Sequence, residues 1–188
     1  MPKNAFAALL LLLLCCLSGG AAAQNAETPD TAAPDTSPQA TPGERSFSRF
    51  AATLPPGWDG EERTGFSSGA PEEYMLVLGV QDEAAERFLA QVSVFVLPNR
   101  KGSSARDFAR GMAELQGDPT EPREEGRFWI FEGEPRTQAL RGRATTMVTA
   151  TPERLLILIT QDPENLGGAE VAESLRGLDD ETRGLLGR

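Results

Sequence analysis

Phe47-Ser48-Arg49-Phe50-Ala51-Ala52-Thr53-Leu54-Pro55-Pro56-Gly57-Trp58 is where a chain of leader and spacer composition becomes one that can fold. Side chains alternate along a strand, so Phe50, Ala52 and Leu54 fall on one face of an extended segment. Two successive prolines then remove backbone donors and Gly57 supplies a flexible corner, which ends the strand. Trp58 follows as a large apolar anchor. Upstream of this stretch the chain reads as an address. Downstream it reads as the rest of one domain.

Residues 1–23 have the order of a signal peptide. Lys3 precedes an apolar run from Ala5 to Leu17, and small residues end in Ala21-Ala22-Ala23 before Gln24, which predicts cleavage after Ala23. A membrane-spanning helix needs about 20 apolar residues, so no retained transmembrane helix is expected. The alternative is a membrane-anchored lipoprotein acylated at Cys15 or Cys16, although Leu14 or Cys15 then stands where a small residue is usual. Residues 24–45 are rich in Ala, Thr and Pro and hold no large apolar residue. They cannot bury enough surface to offset their ordering entropy, and predict a disordered linker. Residues 46–188 then form a single domain of ordinary length.

The chain carries 28 acidic and 18 basic residues, no histidine, and a formal net charge of −10. Such a field repels polyanions, so nucleic acid and anionic membrane surfaces are not expected partners. Both cysteines lie in the leader. The mature chain therefore has no disulfide and lacks the usual ligands of zinc and haem, so no cofactor and no metal is expected. Export without disulfides suits the periplasm or the medium around a bacterial cell, and the domain is expected to be monomeric.

Hydrophobic patterning predicts strands at Glu61–Ser67, Glu73–Val80 and Phe88–Leu97, the last being the richest in β-branched and aromatic residues. Its one face carries Phe88, Ala90, Val92, Val94 and Val96. Its other carries Leu89, Phe95 and Leu97 with Gln91 and Ser93 between them. Ser103-Ser104 cap a helix with Phe108, Met112 and Leu115 on one stripe, ending near Gln116-Gly117. Further strands are predicted at Arg127–Glu132, Thr137–Arg141, Ala144–Thr151 and Leu155–Gln161. A final helix at Ala169–Leu178 carries Val171, Leu175 and Leu178, and the charged tail from Asp179 is expected to fray. Strands, helix, strands, helix exclude a doubly wound parallel sheet and predict an α+β fold.

The opening Phe-x-x-x-Leu-Pro-Pro-Gly-Trp, the apolar strand before a Ser-capped helix, the meander and the C-terminal helix with Ser174-Leu175 resemble the PsbP-like superfamily. That grouping includes the DcrB-like bacterial envelope proteins, and the likeness spans Ser46 to Leu178. The resemblance implies an α/β/α sandwich, with a central antiparallel sheet flanked by two main helices. It also implies an accessory or binding role without a catalytic motif, since fold alone does not fix function.

No Gly-x-Ser-x-Gly and no histidine support acyl transfer, and Lys101 beside Ser103 and Ser104 lacks Ser-x-x-Lys spacing. Carboxylate pairs occur at Glu61/Glu62, Glu72/Glu73, Glu124/Glu125, Glu132/Glu134 and Asp179/Asp180, in a chain where charged pairs commonly form solvated faces. The expected function is a non-catalytic envelope module that docks on another envelope protein, with no enzyme activity. Trp58, Trp129 and Phe131 form its candidate interaction surface. The alternative is an acidic cleft that binds or processes a glycan or small molecule, with Glu132 and Glu134 as its carboxylates. A third reading places an apolar ligand or lipid between sheet and helix.

Overall fold

The computed structural model describes residues 43–82, 87–136 and 142–187. The expected leader, nearly all of the expected linker and the strand expected at Thr137–Arg141 lie outside the described residues. Along the chain come β1 (Gly43–Ser46), β2 (Phe50–Leu54), β3 (Asp59–Thr64), β4 (Tyr74–Asp82) and β5 (Arg87–Pro98). Helix α1 (Ala105–Ala113) precedes β6 (Arg123–Glu125), β7 (Phe128–Gly133), β8 (Ala144–Ala150) and β9 (Arg154–Gln161). Helix α2 (Gly168–Ser174), β10 (Arg176–Gly177) and α3 (Asp180–Leu186) complete the domain.

The fold is mixed α+β. Seven antiparallel strands run in the order β3-β4-β5-β9-β8-β7-β6, and a second sheet runs β1-β2-β10. Two meanders meet at β5 and β9, where Val94 faces Leu158 and Phe95 faces Ile157. These two strands are apolar on both sides, as strands with cover on each face must be. From β5 the chain crosses by α1 to the far edge at β6, then returns strand by strand to the centre.

Alternation sorts the core onto two faces. Leu76, Leu78, Val92, Val94, Leu156 and Leu158 pack under the small sheet, α2 and α3. Met75, Phe95, Leu155, Ile157, Val148 and Phe131 pack on the other face with Phe108, Ala109, Met112 and Ala113 of α1. The Ser104 hydroxyl accepts from Asp107 N at 3.1 Å, which caps α1 as the sequence predicts.

The Pro-Pro-Gly corner is a tie between distant segments. Gly57 sits at φ +82, a left-handed value that favours glycine, and turns Trp58 inward. The Trp58 indole is 3 % exposed and its Nε1 donates to Leu166 O at 2.9 Å, so the corner grips the entry to α2.

Four elements differ from the sequence expectations. β1 begins at Gly43, ahead of the boundary expected at 46, because Gly43 to Ser46 pair in register with Leu54 to Ala51. β6 carries no apolar residue and forms only by edge pairing with β7. The final helix stops at Ser174, where the Ser174 hydroxyl donates to Val171 O and accepts from Thr53 N, and Arg176–Gly177 then pair with β2. The tail does not fray through its length. Asp179 and Thr182 close a capping box, and α3 buries Leu185 and Leu186. Among the described residues three helices therefore stand where two were expected.

Candidate functional site

The three aromatic residues of the expected interaction surface do not share a surface. Trp58 lies in the core beneath the small sheet, and Phe131 is fully buried on the opposite face. Trp129 is half-buried on that second face, with the Arg106 guanidinium 5.3 Å from its ring centroid. Strand spacing puts Trp129 and Phe131 on one face and seats them under α1, so both pack against the core instead of presenting a platform.

Glu132 and Glu134 do not converge on a cleft. Glu132 lies 3.7 Å from Arg143 Nε, while exposed Glu134 uses its backbone to bridge Gly117 at 2.7 and 2.8 Å. An open cleft of about 410 Å³ lies elsewhere, where α1 begins, between Asn99, Ser103, Ser104 and Thr151. Its polar groups are already engaged. Asn99 Oδ1 accepts from Ser103 N at 2.9 Å, and its Nδ2 donates to Thr151 O at 2.8 Å and Ser103 O at 3.0 Å. The Ser104 hydroxyl donates to Asp107 Oδ2 at 2.8 Å and accepts from Asp107 N at 3.1 Å, the reciprocal bonds of a helix cap.

Other carboxylates are spent on the scaffold. Glu73 accepts from the amides and hydroxyls of both Ser67 and Ser68, at 2.6 to 3.0 Å. Burial alone would raise its pKa, but these bonds outweigh it and hold the carboxyl below its ordinary range. Glu62 behaves alike: burial opposes ionisation, yet Ser48 N, the Tyr74 hydroxyl and the Ser48 hydroxyl lower it. For Tyr74 the burial itself, reinforced by Glu62, raises the phenol far above its usual value.

At the entry to α3, Arg49 pairs with Asp179 at 3.0 Å and with Glu181, and Arg154 reaches Glu181 at 2.7 Å. Burial again opposes both carboxylates. Arg49 lowers Asp179 and Arg154 lowers Glu181, each below the usual range. This partly buried network ties β2, β9 and α3 together. Among the described residues no three His, Cys, Asp or Glu side chains gather where they could hold a metal ion.

A different set of side chains emerges on the α1 face. Gln91 and Ser93 are buried on β5, with Gln91 Nε2 donating to Ser93 Oγ at 2.6 Å. Gln116, just past α1, is 6 % exposed and its Nε2 reaches Thr146 Oγ1 at 3.4 Å. Gln116 Oε1 and Gln161 Nε2 have no hydrogen-bond partner. Only Gln91 and Ser93, interrupting the Leu89–Phe95 face, signal this in the sequence. Gln116, Thr146 and Gln161 join them through register, which the sequence does not display.

No protein-family model, no curated protein and no solved structure matches this chain.

Proposed function

We propose that this chain is an exported bacterial envelope protein whose domain acts as a non-catalytic accessory or binding module for another envelope protein. The observation that carries this reading is the commitment of its reactive groups to the scaffold. Glu62, Glu73, Asp179 and Glu181 all serve loops and helix ends, and the serines of the α1 cleft cap and turn the chain. A nucleophile with its base, or two carboxyls spaced across a cleft, would be needed for turnover.

The likeness to the PsbP-like and DcrB-like proteins belongs to the same proposal. It is supported by an antiparallel sheet with helices packed on both faces and by the structural use of Leu54-Pro55-Pro56-Gly57-Trp58. Among the described residues no helix is long and apolar enough to cross a membrane. Export followed by cleavage after Ala23 is the leading form, with acylation at Cys15 or Cys16 as the alternative.

Two measurements test this. Intact mass of the protein expressed in a bacterial host is expected to match a chain beginning at Gln24; a lipid-bearing chain beginning at Cys15 or Cys16 shows acylation instead, and a mass retaining residues 1–23 overturns both. The tagged chain is expected to retain one envelope protein reproducibly and reciprocally through cross-linking and pull-down. Repeated failure to retain any protein overturns docking.

A further inference from the structure

We propose that β3 is a self-pairing edge, through which two copies of this chain join antiparallel about a two-fold axis at Glu62 and form a dimer with one continuous sheet. This dimer takes the place of the monomer expected from the sequence. It goes beyond the docking of another envelope protein and does not rest on it.

Among the described residues β1, β3, β6 and β10 end the two sheets, and all but β3 are short, with four residues in β1, three in β6 and two in β10. β3 has six, in unbroken register with β4 and without a proline or bulge, the devices that commonly blunt an edge. Gly65 N donates to Glu73 O at 2.9 Å, and hydrogen-bonded pairs alternate along an antiparallel ladder. Asp59, Glu61 and Arg63 therefore spend their backbone groups on β4, while those of Gly60, Glu62 and Thr64 point outward. Among the described residues Glu62 and Thr64 have no backbone partner on that side. Gly60 N is held by Asp59 Oδ1 at 2.6 Å, so Gly60 offers its carbonyl. Apart from Gly60 the whole strand is exposed.

The charges select a second copy as the occupant. With Glu62 opposite its own symmetry mate, Glu62 N donates to Glu62 O across the axis and Thr64 N donates to Gly60 O of the other copy, each bond occurring twice. Glu61 of each copy then faces Arg63 of the other in the closely spaced, non-hydrogen-bonded pairing. Arg63 Nε already donates to Glu61 Oε1 of its own strand at 2.8 Å, so the pairs close into a ring of alternating charge. Sliding the register by two residues sets Glu61 against Glu61 or Arg63 against Arg63, and a one-residue slide places outward groups opposite inward ones. The Glu62 carboxylates approach the axis, but Ser48 N, the Ser48 hydroxyl and the Tyr74 hydroxyl draw each back onto its own subunit at 2.8 to 2.9 Å. Each copy carries a formal net charge of −10, which salt at about 0.15 M screens beyond about 8 Å, whereas the ring acts at contact. Six residues a side are far fewer than the roughly 20–30 of a standard interface, so the dimer is weak and dissociates on dilution.

The test is sedimentation velocity on the whole protein as recovered from a bacterial host, from micromolar to millimolar concentration in about 0.15 M salt. The wild type is expected to pass from monomer to dimer, with amide exchange at Glu62 and Thr64 slowing as it does. Glu61→Arg and Arg63→Glu are each expected to stay monomeric alone. An equimolar mixture of the two is expected to dimerise, because each strand then faces its opposite charge throughout, and the chain carrying both substitutions is expected to dimerise like the wild type. Thr64→Pro removes an outward donor and leaves the ladder to β4 intact, so it should also be monomeric, with a thermal midpoint near that of the wild type. A wild type that stays monomeric throughout, a mixture that stays monomeric, or a dimer that survives Thr64→Pro and both charge reversals overturns the proposal. So does a monomeric wild type whose capture of another envelope protein is abolished by Thr64→Pro, which gives the edge to that partner and leaves the docking reading intact.

Discussion

Glu73 shows how one carboxylate can organise a loop. Four donors from Ser67 and Ser68 converge on a residue that is 5 % exposed. Glu73→Gln replaces one acceptor oxygen by a donor facing other donors, and is expected to cost about 1–3 kcal/mol in urea unfolding. The pH dependence has a definite sign. Glu62, Glu73, Asp179 and Glu181 have folded pKa values below their unfolded ones. Unfolded carboxyls titrate near about 4, so their contribution is fully present above that range and is lost as pH falls through the folded values. The urea midpoint should hold from pH 8 to about 5 and decline below about 4, with a shallower decline in Glu73→Gln. Tyr74, the single tyrosine, gives the alkaline counterpart. Its raised pKa means stability is complete below about 10 and falls as pH rises beyond the unfolded value. Tyrosinate absorbance should appear only together with unfolding, and Tyr74→Phe should flatten this alkaline loss.

At the scale of elements, α3 depends on its entry. The Asp179 side chain receives Thr182 N at 2.7 Å and pairs with Arg49, so Asp179→Ala removes a cap and an ion-pair partner together. The cap alone is worth about 1 kcal/mol, and hydrogen exchange across 180–186 is expected to accelerate before exchange in β5 or β9. Gly177 sets the approach of this helix. A methyl group there would overlap the backbone of Thr182 and Arg183, which cannot yield as a flexible side chain can. Gly177→Ala should therefore displace α3 and cost more than a Gly→Ala change at open Gly184, as read by thermal midpoint.

The strands β4, β5 and β9 were legible because their apolar alternation is long and their interiors hold few polar residues. α1 was legible from Ser104 and its stripe. α3 was misread because two glycines and several charges obscure the two leucines it buries, while its decisive signal is the Asp179–Thr182 spacing. β6 had no signal of its own, since an edge strand of Arg and Glu is defined by its neighbour. The glutamine cluster was harder still. Its members come from three strands and a helix end: pairing register brings the strand residues to one face, and Gln116 reaches them from the end of α1.

Across the whole molecule, Trp58 joins the N-terminal hairpin, the sheet and the approach to α2. Trp58→Ala removes a large buried ring and its bond to Leu166 O, and is expected to cost about 3–5 kcal/mol by denaturant unfolding. Trp58→Phe should retain much of the packing and lose less. The two central strands, β5 and β9, are separated by more than fifty residues of chain, yet their pairing closes the large sheet. Such distant pairing raises contact order and places folding in the millisecond-to-second range. A polypeptide emerging from the ribosome cannot complete this sheet until β9 has been made. Every nascent intermediate before that moment carries an open strand edge, and any factor that escorts the growing chain has that interval in which to act.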